Sequence, residues 1–143
     1  MTPQERAERS AQAMWAGDDA SKWLGMSLDK IGPGTATMSF TVQAHHLNGH
    51  KICHGGYIFT LADSAFAFAC NSYNQAAVAQ ENSIVYLSPG QSGERLTARA
   101  AETARTGRSG VYDVTVTGED GRKVAVFRGL SRTTGGENFE ETQ

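Results

Sequence analysis

One segment decides most of what this chain can become. Residues 55–70, GGYIFTLADSAFAFAC, are long enough for a helix of about four turns and are apolar on nearly every side. The many alanines favour helix over strand. A helix that is hydrophobic all round cannot lie on a surface, so the rest of the chain has to enclose it. Asp63 is the only Asp, Glu, Lys or Arg inside the segment.

The enclosure is built from strands. Residues 26–31 and 35–42 flank the turn signal Gly32-Pro33-Gly34. In the second of them Met38, Phe40 and Val42 alternate with Thr37, Ser39 and Thr41, which gives one buried and one open face. Residues 43–53 follow neither period and read as a loop. After the helix, residues 83–87, 96–104, 111–117 and 123–130 are strand candidates. Ser88-Pro89-Gly90, residues 106–110 and Glu119-Asp120-Gly121 turn the chain between them. Short connections between consecutive strands imply antiparallel pairing. One enclosed helix with five or six such strands predicts an α+β fold, a single curved antiparallel sheet wrapped around one long central helix. A free sheet edge invites pairing with a second copy, so a homodimer is expected.

The chain begins with a short helix. Thr2 caps it, Pro3 takes the first helical position and Glu5 completes a capping box. Ala7, Ala11, Met14 and Trp15 then recur on one face; residues 17–19 end the helix and a short turn follows at 20–24. A chain of 143 residues fits one domain, expected over 1–136, with 137–143 a fraying acidic tail. The net charge is −2 and the basic residues are scattered, which argues against nucleic-acid binding. No uncharged apolar run reaches membrane-spanning length, and the polar N-terminus is not a signal peptide. Cys53 and Cys70 lack metal or redox spacing, so reduced thiols and a cytoplasmic setting are expected.

Chemistry concentrates between Asn48 and Asp63. A carboxylate in an apolar helix is costly, and its pKa rises unless donors reach it. His54-Gly55-Gly56 stands at the helix N-terminus, where backbone N–H groups lack partners and the dipole favours negative charge. Glycine there lets a ligand approach the backbone, the arrangement of an oxyanion hole. Asn48 can bond a carbonyl or a water, or simply make an Asn48-Gly49 turn. His45, His46, His50 and His54 have no common helical period and no cysteine or carboxylate at ligand spacing, so no metal is expected.

Asn48-Gly49-His50, Cys53-His54-Gly55-Gly56 and Phe59-x-Leu61-Ala62-Asp63 together resemble the signature of hotdog-fold acyl-CoA thioesterases, and within them the phenylacetic-acid-degradation (PaaI) type. Residues 65–72, 76–79, 110–113 and 126–129 extend the likeness over roughly 11–136. The resemblance implies a hotdog fold and hydrolysis of (hydroxy)phenylacetyl-CoA or related aryl or short acyl-CoA thioesters to the acid and CoA. It implies no cofactor. Asp63 matches the catalytic carboxylate, as general base or as nucleophile. Gly55 matches the glycine whose N–H polarises the thioester carbonyl. Asn48 and His54 match the residues that position that carbonyl. Gly56, Tyr57, Phe59, Phe66 and Tyr86 are candidates for the acyl pocket, with core packing the alternative role of each aromatic. Arg108, with Arg105, Arg128 and Arg132, is a candidate for the CoA phosphates. Some relatives carry a water-orienting hydroxyl near residues 79–83; Ala79, Gln80 and Ser83 each match that place, so the role is carried over to none of them, and Glu81 is an unusual charge before a buried strand.

Gly55 and Asp63 are eight residues apart on one helix, about 12 Å along its axis. That is too far to serve one thioester carbonyl. The two groups meet only if they come from different chains, so the chemistry asks for the same homodimer as the sheet edge; the expected assembly is that dimer or a homotetramer made of two. Two other readings use the same residues: a hotdog enoyl-CoA hydratase or dehydratase, and a non-catalytic acyl-CoA-binding module.

Overall fold

The fold, described for residues 1–142 by a computed structural model, begins with α1 (Pro3–Ala16) and α2 (Asp19–Leu24). Then come β1 (Ser27–Gly32), β2 (Thr35–Thr41), the enclosed helix α3 (Gly55–Cys70), β3 (Ala77–Tyr86), β4 (Arg95–Thr106), β5 (Ser109–Thr117) and β6 (Lys123–Thr133). The six strands form one antiparallel sheet in the order β1-β2-β4-β5-β6-β3. All six contact α3, as the all-round apolar character of that helix requires. Leu61, Ala62, Ala65, Phe66, Phe68 and Ala69 of α3 are buried with Met38, Phe40, Leu96, Val114, Val116 and Phe127 of the sheet.

The local signals act as expected. Thr2 and Glu5 form the capping box of α1. Gly34, at φ 70°, closes the β1–β2 hairpin in a conformation that favours glycine. Ser39, placed by alternation on the open face of β2, is buried instead; it donates to Asp29 and accepts from Arg95. No helix among the described residues is long and apolar enough to cross a membrane.

One expectation needs correction. The strand expected at 83–87 starts six residues earlier, at Ala77, because a bulge at Gln80 interrupts the alternation. The acidic tail makes contacts with the body of the fold over residues 137–142. Glu141 pairs with Arg6 of α1 at 2.6 Å, Asn74 Nδ2 donates to the Phe139 carbonyl at 3.0 Å, and the Arg9 guanidinium lies 4.3 Å from the centre of the Phe139 ring. The tail meets two basic residues of α1, Arg6 through Glu141 and Arg9 through the Phe139 ring, a proximity that local sequence cannot reveal. Gln143 lies outside the described residues.

Helix and sheet meet most closely at Gly129 of β6, where an added Cβ would stand 2.7 Å from the Phe66 ring. Gly129→Ala therefore overpacks a full core and lowers the unfolding free energy by about 1–3 kcal/mol. Denaturant unfolding measures this, and an unchanged midpoint contradicts it.

Candidate active site

The loop before α3 is pinned from below by a buried histidine. His46 is fully buried, accepts the Gln43 N–H at Nδ1 (2.8 Å) and packs edge-on against Phe40. Burial pushes its pKa down, which favours the neutral ring this acceptor role needs. Its carbonyl takes the His54 N–H at 2.8 Å, and Cys53 N–H donates to the Gly90 carbonyl at 2.8 Å. Together these bonds hold the start of α3 in place.

His54 is the N-cap of α3. Its Nδ1 accepts the Gly56 N–H at 2.9 Å, so the neutral ring carries its hydrogen on Nε2, free to donate outward. The Gly55 N–H has no acceptor among the described residues. A Cβ here would stand 3.0 Å from the Tyr86 ring, a tight contact that glycine avoids, and the Tyr86 hydroxyl donates to the Gly55 carbonyl at 2.8 Å. Asn48 serves its turn and the site together. Its Oδ1 accepts the N–H of His50 (2.9 Å) and of Ile52 (3.4 Å), while Nδ2 has no acceptor among the described residues.

Asn48, Gly55, Ile58, Cys53, Tyr86 and Leu87 line a cavity of about 360 Å³. Asn48 and Gly55 both line this cavity, and His54 stands beside Gly55 as the N-cap, at the end of α3 where the helix dipole adds positive potential. Burial pushes the Cys53 thiol up to about 11, which favours its neutral form. Cys70 is also buried and unpaired.

Asp63 lies elsewhere. It is half-buried, pairs with no cation among the described residues, and accepts one hydrogen bond, from Asn82 Nδ2 at 2.9 Å. Burial pushes its pKa above the usual carboxylate range, and the Asn82 bond opposes that shift. The sheet confirms the distance between the two groups. Asn82 of β3 stands beside Asp63 and Tyr86 of β3 beside Gly55, and four strand residues span about 13 Å. One chain therefore holds the donors and the carboxylate apart, at two places along α3.

The remaining candidates divide. Tyr86 lines the donor cavity and is 49% exposed. Tyr57 packs edge-on to His46 and His54, beside the exposed Gly56. Phe59 packs edge-on against Phe127. Phe66 is corrected to core: it is 1% exposed and packs on Tyr112 and Phe127. Arg108 sits at the β4–β5 turn, donates to the Thr133 carbonyl at 2.8 Å, and borders a cavity with Asn74 and Glu137, apart from Gly55 and Asp63 of its own chain. Arg128 is paired with Asp113, and Arg105 lies over Tyr73 near Glu102. Asn82 was not anticipated. The one signal near it is Glu81, an unusual charge before a buried strand.

The model of the thioesterase superfamily matches residues 50–125. The acyl-coenzyme A thioesterase PaaI of Escherichia coli is 44% identical over 131 residues, 92% of this chain and 94% of that protein. The structure of the E. coli PaaI protein from the phenylacetic acid degradation operon superposes with a TM-score of 0.93 at 42% identity, covering 95% of this chain and 99% of that one. A Streptococcus mutans protein bound to acetyl CoA is similar at a TM-score of 0.76 and 29% identity, covering 79% and 91%.

Proposed function

The chain belongs to the thioesterase superfamily, and we propose that it hydrolyses acyl-CoA thioesters to a carboxylic acid and free CoA, with arylacetyl groups as its preferred acyl class. The observation that carries this reading is the pairing of a half-buried, cation-free carboxylate with an unsatisfied helix N-terminus in one small protein. The Gly55 N–H receives the thioester oxygen and stabilises the negative charge that grows there. Asn48 Nδ2 and His54 Nε2 donate to the same region and orient the carbonyl. Asp63 removes a proton from water as the oxygen attacks the carbonyl carbon, or attacks directly to form an anhydride that water then opens. Collapse of the tetrahedral adduct breaks the C–S bond; on the general-base path the proton held by Asp63 returns to the departing sulfur, and on the anhydride path the sulfur leaves as the thiolate and takes its proton from solvent.

The two half-sites are completed by a second copy. β3 is a sheet edge that exposes Val78, Val85 and Tyr86, with Leu87 directly after it. The other edge, β1, carries Asp29 and Lys30 and lies against α1. An apolar, unpaired edge is a template for its own copy. Antiparallel pairing of β3 with β3 about a twofold axis sets two α3 helices side by side and brings each Asp63 towards the partner's Gly55. Two unpaired cysteines fit a reducing, cytoplasmic setting.

Release of free thiol from a panel of CoA thioesters tests the reading. Phenylacetyl-CoA and ring-hydroxylated phenylacetyl-CoA are expected to exceed palmitoyl-CoA in kcat/KM by about tenfold or more. The small cavity walled by Tyr86 and Ile58 suits an aryl group better than a long chain. A preference for palmitoyl-CoA rejects the acyl class. Hydration of an enoyl-CoA without thiol release rejects the reaction.

A further inference from the structure

We infer that Arg122 is a specificity-determining positioning residue: with Glu94 it clamps the β3–β4 loop where that loop lines the cavity beside Gly55, and so fixes how large an acyl group the cavity takes. The inference rests on that cavity receiving the acyl group of a thioester.

Two loops line the cavity. Asn48, Ile52 and Cys53 come from the loop before α3, and Leu87, Ser88 and Pro89 from the loop between β3 and β4. The loops also touch each other. The Cys53 N–H donates to the Gly90 carbonyl at 2.8 Å, Ile52 forms a bridge with Gln91, and a Cβ on Gly90 would stand 3.2 Å from Cys53 Cβ. Residues 88–91 therefore bear on both sets of lining residues. The sheet itself holds them weakly. Backbone bonds to Val124 of β6 stop at Ser88, and bonds to Val42 begin at Gly93.

The β5–β6 turn supplies what the sheet does not. Arg122 Nη2 donates to the Pro89 carbonyl and to Glu94 Oε1, each at 2.8 Å. Its Nη1 donates to Glu94 Oε2 at 3.2 Å and to Asp120 Oδ1 at 2.8 Å, and its Nε to Ser88 Oγ at 3.1 Å. Every guanidinium hydrogen is used. Glu94 grips the same loop from its other end: Oε1 accepts the Gln91 N–H at 3.0 Å, while Oε2 accepts the Glu119 N–H of the β5–β6 turn at 3.2 Å. The Glu94 side chain is only 11% exposed, so water competes little for these bonds. A lone surface ion pair would position little. A planar fork that holds a carbonyl, a hydroxyl and both oxygens of a carboxylate fixes direction as well as distance, which a lysine cannot do. The backbone leaves room for nothing else: a Cβ on Gly118 would strike Glu94 Oε2 and stand 2.9 Å from Arg122 Nη1.

Three variants test the clamp. Arg122→Gln removes the fork, and Arg122→Lys keeps the charge alone. Gly118→Ala leaves both charged residues in the chain and pushes the pair aside; Gly118 does not have a positive φ, so alanine suits its backbone. Arg6→Gln, which breaks the ion pair with Glu141 at the tail, is the control for a loss of stability away from the cavity. Thiol release gives kcat/KM for phenylacetyl-CoA and for the bulkier naphthylacetyl-CoA. The ratio of the two is expected to fall by about fivefold or more in Arg122→Gln and Gly118→Ala, by less in Arg122→Lys, and not at all in Arg6→Gln. Hydrogen exchange at the Cys53 amide rises by about tenfold or more in the first two. A purely structural role lowers activity on both thioesters together and leaves their ratio alone. If Arg122→Gln does not fold, Gly118→Ala decides. A parent-like ratio in the folded variants overturns the inference, as does an equal change of ratio in Arg6→Gln. A parent that releases thiol from neither thioester overturns the reading beneath it, and the inference with it.

Discussion

Asp63→Asn folds, is at least as stable as the parent at neutral pH, and loses about 10²–10⁴ in kcat, the range expected when a positioned base is removed. The fold survives because the amide keeps the shape of the carboxylate, and its Oδ1 still accepts the 2.9 Å bond from Asn82 Nδ2. Stability follows from the direction of the pKa. Burial raises it, so the folded state prefers protonated Asp63. That preference stabilises the fold below the carboxyl's unfolded-state pKa and is lost as pH rises through the folded value. At neutral pH the parent carries a desolvated charge that the asparagine lacks. The same shift predicts the parent's pH profile. Only ionised Asp63 accepts a proton, so kcat/KM falls on the acid side with a midpoint above the ordinary carboxylate value. Steady-state kinetics and thermal melts across pH measure all three expectations. A variant with parent-like kcat, or a parent still fully active and folded at pH 4, removes Asp63 from the chemistry.

How much of this was legible in the sequence depended on how local the cause was. The limits of α3 were readable because His54, the two glycines, the alanines and the all-round apolar pattern each act within a turn of the residue they affect. The sheet's strands followed from alternation and turn residues for the same reason. β3 was misread at its start because the bulge lies among Gln80, Glu81 and Asn82, where polar residues hide the change of phase. Asn82 went unseen with it. Phe59 and Phe66, seven residues apart, share a helix face, so periodicity could not separate them. What separates them is depth: Phe66 lies under Gly129 of β6, a contact across 63 positions of sequence. Arg6 and Glu141 are farther apart still. The donor cluster was legible as a glycine pair at a helix start, but not the Tyr86 ring that packs against Gly55.

Two inactive proteins should together make an active one. Asp63→Ala removes the carboxylate, and Gly55→Pro deletes the backbone N–H at the start of α3. Proline is accepted at a first helical position, where no intrahelical bond is lost, though its ring must fit beside Tyr86. Each variant alone is expected to be nearly inactive, because every site in its dimer lacks one of the two groups. After the two are mixed in equal amounts, dissociated and allowed to reassociate, random pairing makes half of the dimers mixed. In a mixed dimer one site collects both damaged positions. The other joins Asp63 from one chain to the Gly55 N–H of its partner and is intact. Half of the sites in half of the dimers work, so activity returns to about a quarter of the parent's by twofold symmetry. The result is independent of which atom Asp63 uses and of the acyl group. It depends only on the roughly 12 Å that one helix puts between the two residues, and on a second chain to span it. Circular dichroism of each variant establishes folding, and a mass-tagged subunit establishes exchange. Exchange without recovery would mean that the carboxylate and the N–H act within one chain or not on the same carbonyl, and the two-chain site would be wrong.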